Sequence, residues 1–181
     1  ESFKLNIVEN LEILRFLSFL RNLKKLDVEI KFDTCEKFEF KMNHVVDLKL
    51  SIIDAEHYHV MQIFPNLKSL SVTNMHSLEI LRLPYLTNLK MVDCYFDVTS
   101  EIPNIKDLTL INCTLLTKDN FEYPMRGHNI RKINMKTKNL LQEFLRRKFP
   151  TLKETTFIDL SMTELFYQSL QPKPKRLHVC L

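Results

Sequence analysis

Apolar residues recur along this chain in one phrase, separated by polar stretches. The phrase is clearest at Phe64–Asn74 (FPNLKSLSVTN). It returns at Ile102–Cys113 (IPNIKDLTLINC) and, more loosely, at Phe149–Asp159 (FPTLKETTFID). Taking the first aliphatic residue of each phrase as an anchor gives Leu23, Val45, Leu67, Leu86, Ile105, Ile130 and Leu152, with Pro174 in the same slot. The steps are 22, 22, 19, 19, 25, 22 and 22 residues. Counting each anchor with the positions three and five residues after it, 22 of 24 slots are apolar in a chain that is 45% apolar. Chance would fill about half of them.

A period in the low twenties carrying L-x-x-L-x-L is the signature of leucine-rich repeats. The two later leucines of each phrase point to one face of a strand, and the residue between them to the other. One repeat cannot bury its leucines alone, so successive strands stack in parallel over a shared core. The predicted fold class is α/β: a leucine-rich repeat solenoid, or horseshoe, with a parallel sheet on its concave face and short helices or irregular turns on its convex face. Residues 1–22 are expected to form an N-terminal capping helix or the end of a linker, and residues 23–181 about eight repeats.

Punctuation agrees with this register. Pro65, Pro84, Pro103, Pro150 and Pro172 stand two residues before an anchor, where a fixed φ and a missing N–H end the return segment. Asn6 with Glu9 reads as a capping box for a helix running to about Leu20. Helical returns are also expected from Asp54 to Pro65, from Asn139 with Gln142 over LLQEFLRRKF, and from Ser161 with Glu164 over MTELFYQSL. The two 19-residue steps leave room only for irregular or 3₁₀ turns. Leu78–Pro84 (LEILRLP) repeats the motif too closely for a strand of its own and is expected to pack on the convex side. Residues 118–129, with Pro124 and Gly127, read as a loop inserted in the longest step.

At 181 residues and 27% charged, the composition is that of one globular domain. A single glycine, Gly127, removes phosphate-cradling loops and dinucleotide fingerprints. The net charge of +4 permits an acidic partner but falls short of a nucleic-acid-binding composition. Cys35, Cys94, Cys113 and Cys180 fit neither a zinc framework nor a dense disulfide scaffold. No signal peptide opens the chain, and Leu11–Leu23 is broken by Glu12, Arg15, Arg21 and Asn22, so no membrane span is expected. The start at Glu1 reads as a piece of something longer.

The column directly after each anchor is mostly basic: Lys24, Val46, Lys68, Thr87, Lys106, Arg131, Lys153 and Lys175. With Lys49, Lys90, Lys132 and Arg176, these cations make the concave face the candidate protein-binding surface, suited to an acidic or phosphorylated segment. Asp47, Asp107 and Glu154 interleave in the next column, which equally describes a solubilised face. Cys94 and Cys113 occupy the slot eight residues after their anchors, where an inward side chain supports the end of the strand. Both are expected as buried free thiols. His57 and His59 face apart, and His178 beside Cys180 lacks further ligands, so no metal site is expected. Asn112-Cys113-Thr114 has the form of a glycosylation sequon, but its place at a strand end inside the motif marks it as accidental. No catalytic motif stands in a fitting context, and neither an enzyme nor a cofactor is expected.

The phrases LTNLKMVDC (Leu86–Cys94) and IKDLTLINC (Ile105–Cys113), the FPNLKSL and FPTLKET strand entries and the irregular spacing resemble the leucine-rich repeats of F-box proteins. The Lys, Asn, Ile and Phe content looks like an insect member. The resemblance implies the substrate-recognition repeats of a cullin–RING ubiquitin ligase, cytoplasmic or nuclear. The Skp-type adaptor and cullin would be reached through an F-box that these residues do not contain. Only two repeats carry the family's cysteine; elsewhere that slot holds Lys31, Ile53, Met75, Lys138 and Leu160. Two alternatives stand beside this reading: a secreted or surface recognition protein of innate-immune type, and a structural scaffold.

Overall fold

In a computed structural model, the chain is described over residues 1–31, 39–52, 60–75, 82–116 and 130–170. The alternating leucines become strands where the pattern places them. Six anchors lead into β2 (Lys25–Ile30), β3 (Asp47–Ile52), β4 (Ser69–Thr73), β5 (Asn88–Val92), β7 (Asp107–Ile111) and β10 (Glu154–Ile158). With β1 (Ser2–Val8) they form a seven-stranded sheet in the order β1-β2-β3-β4-β5-β7-β10, parallel throughout. The pairing is in register, so Leu26, Leu48, Leu70, Leu89 and Leu108 make one buried row. Val28, Leu50, Val72, Met91, Leu110 and Phe157 make the next. Burying each such side chain contributes about 1.5–3 kcal/mol. The result is a parallel β-solenoid of about four turns.

A second, smaller sheet runs beside the first: β6 (Tyr95–Asp97), β8 (Thr114–Leu116), β11 (Ser161–Thr163) and β9 (Ile130–Lys132), in that order. Of the two 19-residue steps, the one from Leu86 to Ile105 holds a short second strand, β6, before an irregular turn; in the one from Leu67 to Leu86, residues 76–81 lie outside the described residues. Just after β4, β5, β7 and β10 the backbone bends at one residue with positive φ: Asn74 at 60°, Asp93 at 54°, Asn112 at 50° and Asp159 at 49°. Asn and Asp tolerate this left-handed region better than other residues with a Cβ. The slot that follows points inward and holds Met75, Cys94, Cys113 and Leu160, all buried. The residue between proline and anchor ties neighbouring turns together. Asn66 and Asn104 donate side-chain amides to the carbonyls of Asn43 (2.9 Å) and Pro84 (2.6 Å). The Thr151 hydroxyl donates to the carbonyls of Pro103 and Ile105, at 2.9 and 2.6 Å.

The slot anchored at Ile130 departs from the expected pattern. Ile130–Lys132 joins the second sheet, antiparallel to β11. Met135, expected as a strand core residue, begins helix α2 (Met135–Lys148) and is exposed. Asn134 caps that helix by accepting from the Thr137 N–H at 2.9 Å, five residues before the expected cap at Asn139. Thr137, Leu141 and Leu145 lie on its buried side, so the helical period overrides the strand-like spacing of Ile133 and Met135. β10 then pairs directly with β7, and its far edge meets α2. Gln142 donates to Thr155 Oγ1 at 3.3 Å and the Lys138 ammonium to the Phe157 carbonyl at 3.5 Å. This explains the polar Thr155 in an otherwise apolar row. A T-shaped contact between Phe144 and Phe166 (5.6 Å between ring centroids) joins α2 to α3 (Glu164–Leu170).

The N-terminus also corrects an expectation. Residues 2–8 form a strand rather than the start of a helix, because Phe3 and Leu5 fall in register with Leu26 and Val28 of β2. Helix α1 is confined to Leu11–Ser18 and is capped by Asn10, whose side chain accepts from the Glu12 N–H at 2.8 Å. The return expected as a helix from Asp54 is described only over its last turn, which is a 3₁₀ helix at Val60–Ile63. The return over MTELFYQSL starts as β11 and becomes helical at Glu164. In Leu78–Pro84, Arg82 makes an isolated bridge to Glu101 and Leu83 is buried; residues 78–81 lie outside the described residues. So do the 118–129 insertion, His57, His59, His178, Cys35, Cys180 and everything after Leu170.

Candidate protein-binding face

The outward side of the seven-stranded sheet is built from columns fixed by its register. Lys25, Asp47, Ser69, Asn88, Asp107 and Glu154 align in one column. Lys4, Asp27, Lys49, Ser71, Lys90, Thr109 and Thr156 align in the next. Just before the strands, the residues after the anchors form a row of their own through backbone bonds. Each N–H of Val46, Lys68, Thr87, Lys106 and Lys153 donates to the carbonyl of the row member one turn earlier, at 2.7–3.0 Å.

Charge divides this face. On β2 and β3 it is neutralised in pairs: Lys49 reaches Asp27 at 2.9 Å and Lys25 reaches Asp47 at 3.3 Å. Asp107 accepts the Asn88 side-chain amide at 2.7 Å. Lys24, Lys68, Lys90, Lys106 and Lys153 are exposed and make no ion pair among the described residues. Within the row, uncharged Val46 and Thr87 separate Lys24, Lys68 and Lys106. Consecutive lysines there are two strand spacings, roughly 9.6 Å, apart, which relieves their repulsion. Lys106 and Lys153 are adjacent, about 4.8 Å apart along the row.

Of the cations expected on this face, Lys24, Lys68, Lys90, Lys106 and Lys153 lie there unpaired, and Lys49 lies there paired. Arg131 and Lys132 do not belong to it: they sit in β9, opposite Met162 and Ser161 of β11 in the second sheet. The reason is the one given above, that the Ile130 slot leaves the large sheet and leads into α2. Lys175 and Arg176 lie outside the described residues. Sequence reasoning missed an apolar column at the far end of the strands, where Val92, Ile111 and Ile158 replace Glu29, Ser51 and Thr73. Ile158 is 47% exposed. The signal was present in the residue after the last inward slot of each phrase, which turns aliphatic in the later repeats.

A cavity of about 1060 Å³ opens between the end of β10 and the start of α2, lined by Asn112, Ile133, Met135, Lys138, Phe157 and Asp159 among others. Its lysine is already directed at the Phe157 carbonyl. Among the described residues no three His, Cys, Asp or Glu side chains gather as metal ligands, and no helix is long and apolar enough to cross a membrane. Cys94 and Cys113 are free and buried on consecutive turns. Their thiols donate to the carbonyls of Val92 (3.0 Å) and Ile111 (3.2 Å). Comparison with protein-family models, with curated proteins and with solved structures finds no match to this chain.

Proposed function

We propose that this chain is a non-enzymatic protein-recognition module that holds an acidic or phosphorylated segment of another protein against the outward face of its large sheet. The observation that carries the reading is the row Lys24, Lys68, Lys106 and Lys153. These side chains are exposed and unpaired, while the lysines closer to the β2–β3 strands, Lys25 and Lys49, are already neutralised. A surface that keeps unpaired like charges on a rigid ladder favours a partner of opposite sign and steers its approach. The aliphatic Val92, Ile111 and Ile158 add apolar contact at the other end of the same strands.

The finer reading is a leucine-rich repeat module of F-box type. It rests on the L-x-x-L-x-L phrases, the inward Cys94 and Cys113, and the resemblance of those phrases to F-box protein repeats. Skp-type adaptor and cullin would then be engaged by an F-box outside these residues, with the solenoid presenting the substrate in the cytoplasm or nucleus. The free thiols suit a reducing compartment.

The test is titration calorimetry of the chain with a fluorescein-free acidic dodecapeptide of alternating Glu and Ser, alone and with its serines phosphorylated, at low and physiological salt. Binding that weakens with salt, and falls about tenfold or more in Lys68→Glu/Lys106→Glu, is the expected result. Affinity untouched by the double reversal overturns the reading. For the F-box assignment, co-purification of the parent protein with a Skp-type adaptor and cullin is expected, and their absence sinks it.

A further inference from the structure

Two neighbouring strands of the large sheet carry the same outward order of side-chain types. Along β7 it reads Lys106, Asp107, Thr109, Ile111, and along β10 Lys153, Glu154, Thr156, Ile158. The register sets Asp107 against Glu154, Thr109 against Thr156 and Ile111 against Ile158, and the Lys153 N–H donates to the Lys106 carbonyl at 2.7 Å. On β2 and β3 opposite charges face each other: Lys25 stands against Asp47 and Asp27 against Lys49, and both close as ion pairs. On β7 and β10 like faces like. Two lysines stand side by side, and next to them two carboxylate residues, each pair one strand spacing, about 4.8 Å, apart at the backbone. Such pairs are destabilising when nothing answers them. Lys106, Lys153 and Glu154 are exposed, and none of the four charged groups makes an ion pair among the described residues. Asp107 accepts the Asn88 side-chain amide.

The strip is neutral as a whole but banded: positive, negative, hydroxyl, apolar. From its lysines to its isoleucines is about 16 Å of extended chain. At the apolar end Phe157 and Asp159, which flank Ile158, line the cavity beside α2, where Met135 is 73% exposed. A bulky apolar side chain seated on Ile111 and Ile158 finds space there. An all-acidic segment lying along these strands meets Asp107 and Glu154, which repel it.

We propose that the β7–β10 strip selects among the segments that the lysine row attracts. It takes an extended protein segment with an acidic or phosphorylated residue, a basic residue beside it, and a bulky apolar residue about five positions from the acidic one. This rests on the reading of the outward face as a protein-recognition surface. The acidic group sits between Lys106 and Lys153, the basic one between Asp107 and Glu154, and the apolar one on Ile111 and Ile158. Each charged band of the ligand relieves one like-charged pair, and its apolar residue covers the exposed isoleucines. The strip thereby adds a specificity that the lysines alone lack.

NMR titration of the isotope-labelled chain with the octapeptide Ser-Glu-Arg-Ser-Thr-Ser-Leu-Ser, and with its reversed sequence, tests this. The expected result is saturable shifts of the amides in Lys106–Ile111 and Lys153–Ile158 with at least one of the two directions. Replacing the peptide's Arg by Glu, or its Leu by Ala, should weaken binding by about tenfold. Glu154→Lys should reverse the first preference, so that this variant binds the Glu-for-Arg peptide more tightly than the original. Glu154 is exposed, and circular dichroism should be unchanged. Ile158→Ser should remove the preference for Leu over Ala. No binding by either octapeptide, equal affinity for all the peptides, or an unaltered preference in Glu154→Lys overturns the inference. If the Glu-Ser dodecapeptide nevertheless binds and loses affinity in Lys68→Glu/Lys106→Glu, the lysine-row reading stands without it; if the dodecapeptide fails as well, both fall.

Discussion

Asn112 donates its side-chain amide to the carboxylate of Asp93, nineteen residues and one turn earlier, and both residues hold positive φ (50° and 54°). The same position in other turns holds Asn74 and Asp159, also with positive φ. Backbone bonds run along this ladder: the N–H groups of Asn74, Asp93 and Asn112 donate to the carbonyls of Val92, Ile111 and Ile158. A left-handed bend at this slot is what lets the turns of β5, β7 and β10 pass from the large sheet to the small one. Asn112→Val should therefore destabilise the fold by about 1–2 kcal/mol, since a β-branched residue resists this region. Asp159→Gly should be close to neutral, because glycine adopts the same φ freely. Denaturant unfolding of both variants checks the contrast.

Leu108 lies at the middle of the inner row, 1% exposed, between Leu89 and Thr155. Leu108→Ala should cost about 2–5 kcal/mol by leaving a cavity that the neighbouring turns cannot close. Ile158→Ala, on the outward face of the next strand at 47% exposure, should cost well under half of that. Equal losses would mean that the two faces of the sheet are not distinguished as described.

The thiol of Cys94 is held well above its ordinary pKa, first by the neighbouring Cys113 side chain and then by burial. A thiol that stays protonated and buried is a poor nucleophile. Cys94 should resist alkylation by iodoacetamide at pH 8 in the native chain and react when the chain is unfolded. Peptide mapping by mass spectrometry reads this site separately from Cys35 and Cys180. Rapid native labelling at Cys94 would contradict its placement.

His44 has its Nε2 buried with no hydrogen-bond partner among the described residues. Its pKa is lowered from 6.5, first by burial and then by the positive charges of Lys24 and Arg21. In the unfolded chain the imidazole takes a proton near its ordinary pKa, and in the folded chain only at lower pH. The contribution to stability is thus fully present above about pH 6.5 and is lost as pH falls from there toward the depressed folded value. His44→Gln should remove this part of the acid dependence. Unfolding free energies at pH 7.5 and 5.5 should drop more in the parent chain than in the variant.

The inner rows of the large sheet were legible from spacing because a strand's period of two and a coil's period near twenty-two are local constraints, written in Leu48, Leu70, Leu89 and their neighbours. The inward thiols and the lysines after the anchors follow from the same register. Two segments with equally good local signals went elsewhere. Asn6 and Glu9 have the form of a capping box, yet Phe3 and Leu5 find a longer-range partner in β2, and pairing with a strand some twenty residues away outweighs one local cap. Ile130, Ile133 and Met135 carry strand spacing, yet α2 gains more by burying Leu141 and Leu145 across the open edge of β10. That choice also removed Arg131 and Lys132 from the basic face.

What the sequence determined by itself was the repeat: which residues turn inward, how far apart the turns fall, and that the fold is a parallel solenoid with lysines on its outward side. Each of these depends on residues within one phrase. What only the tertiary structure decided was how the turns are joined and ended. It set the second sheet, the insertion of β10 and β11 between β7–β8 and the β9–α2 cap, and the pairing of Lys25 and Lys49 that leaves Lys68, Lys106 and Lys153 unpaired. Those outcomes depend on contacts between residues many turns apart, where strand edges and apolar faces compete for the same partner, and no single phrase encodes which competitor wins.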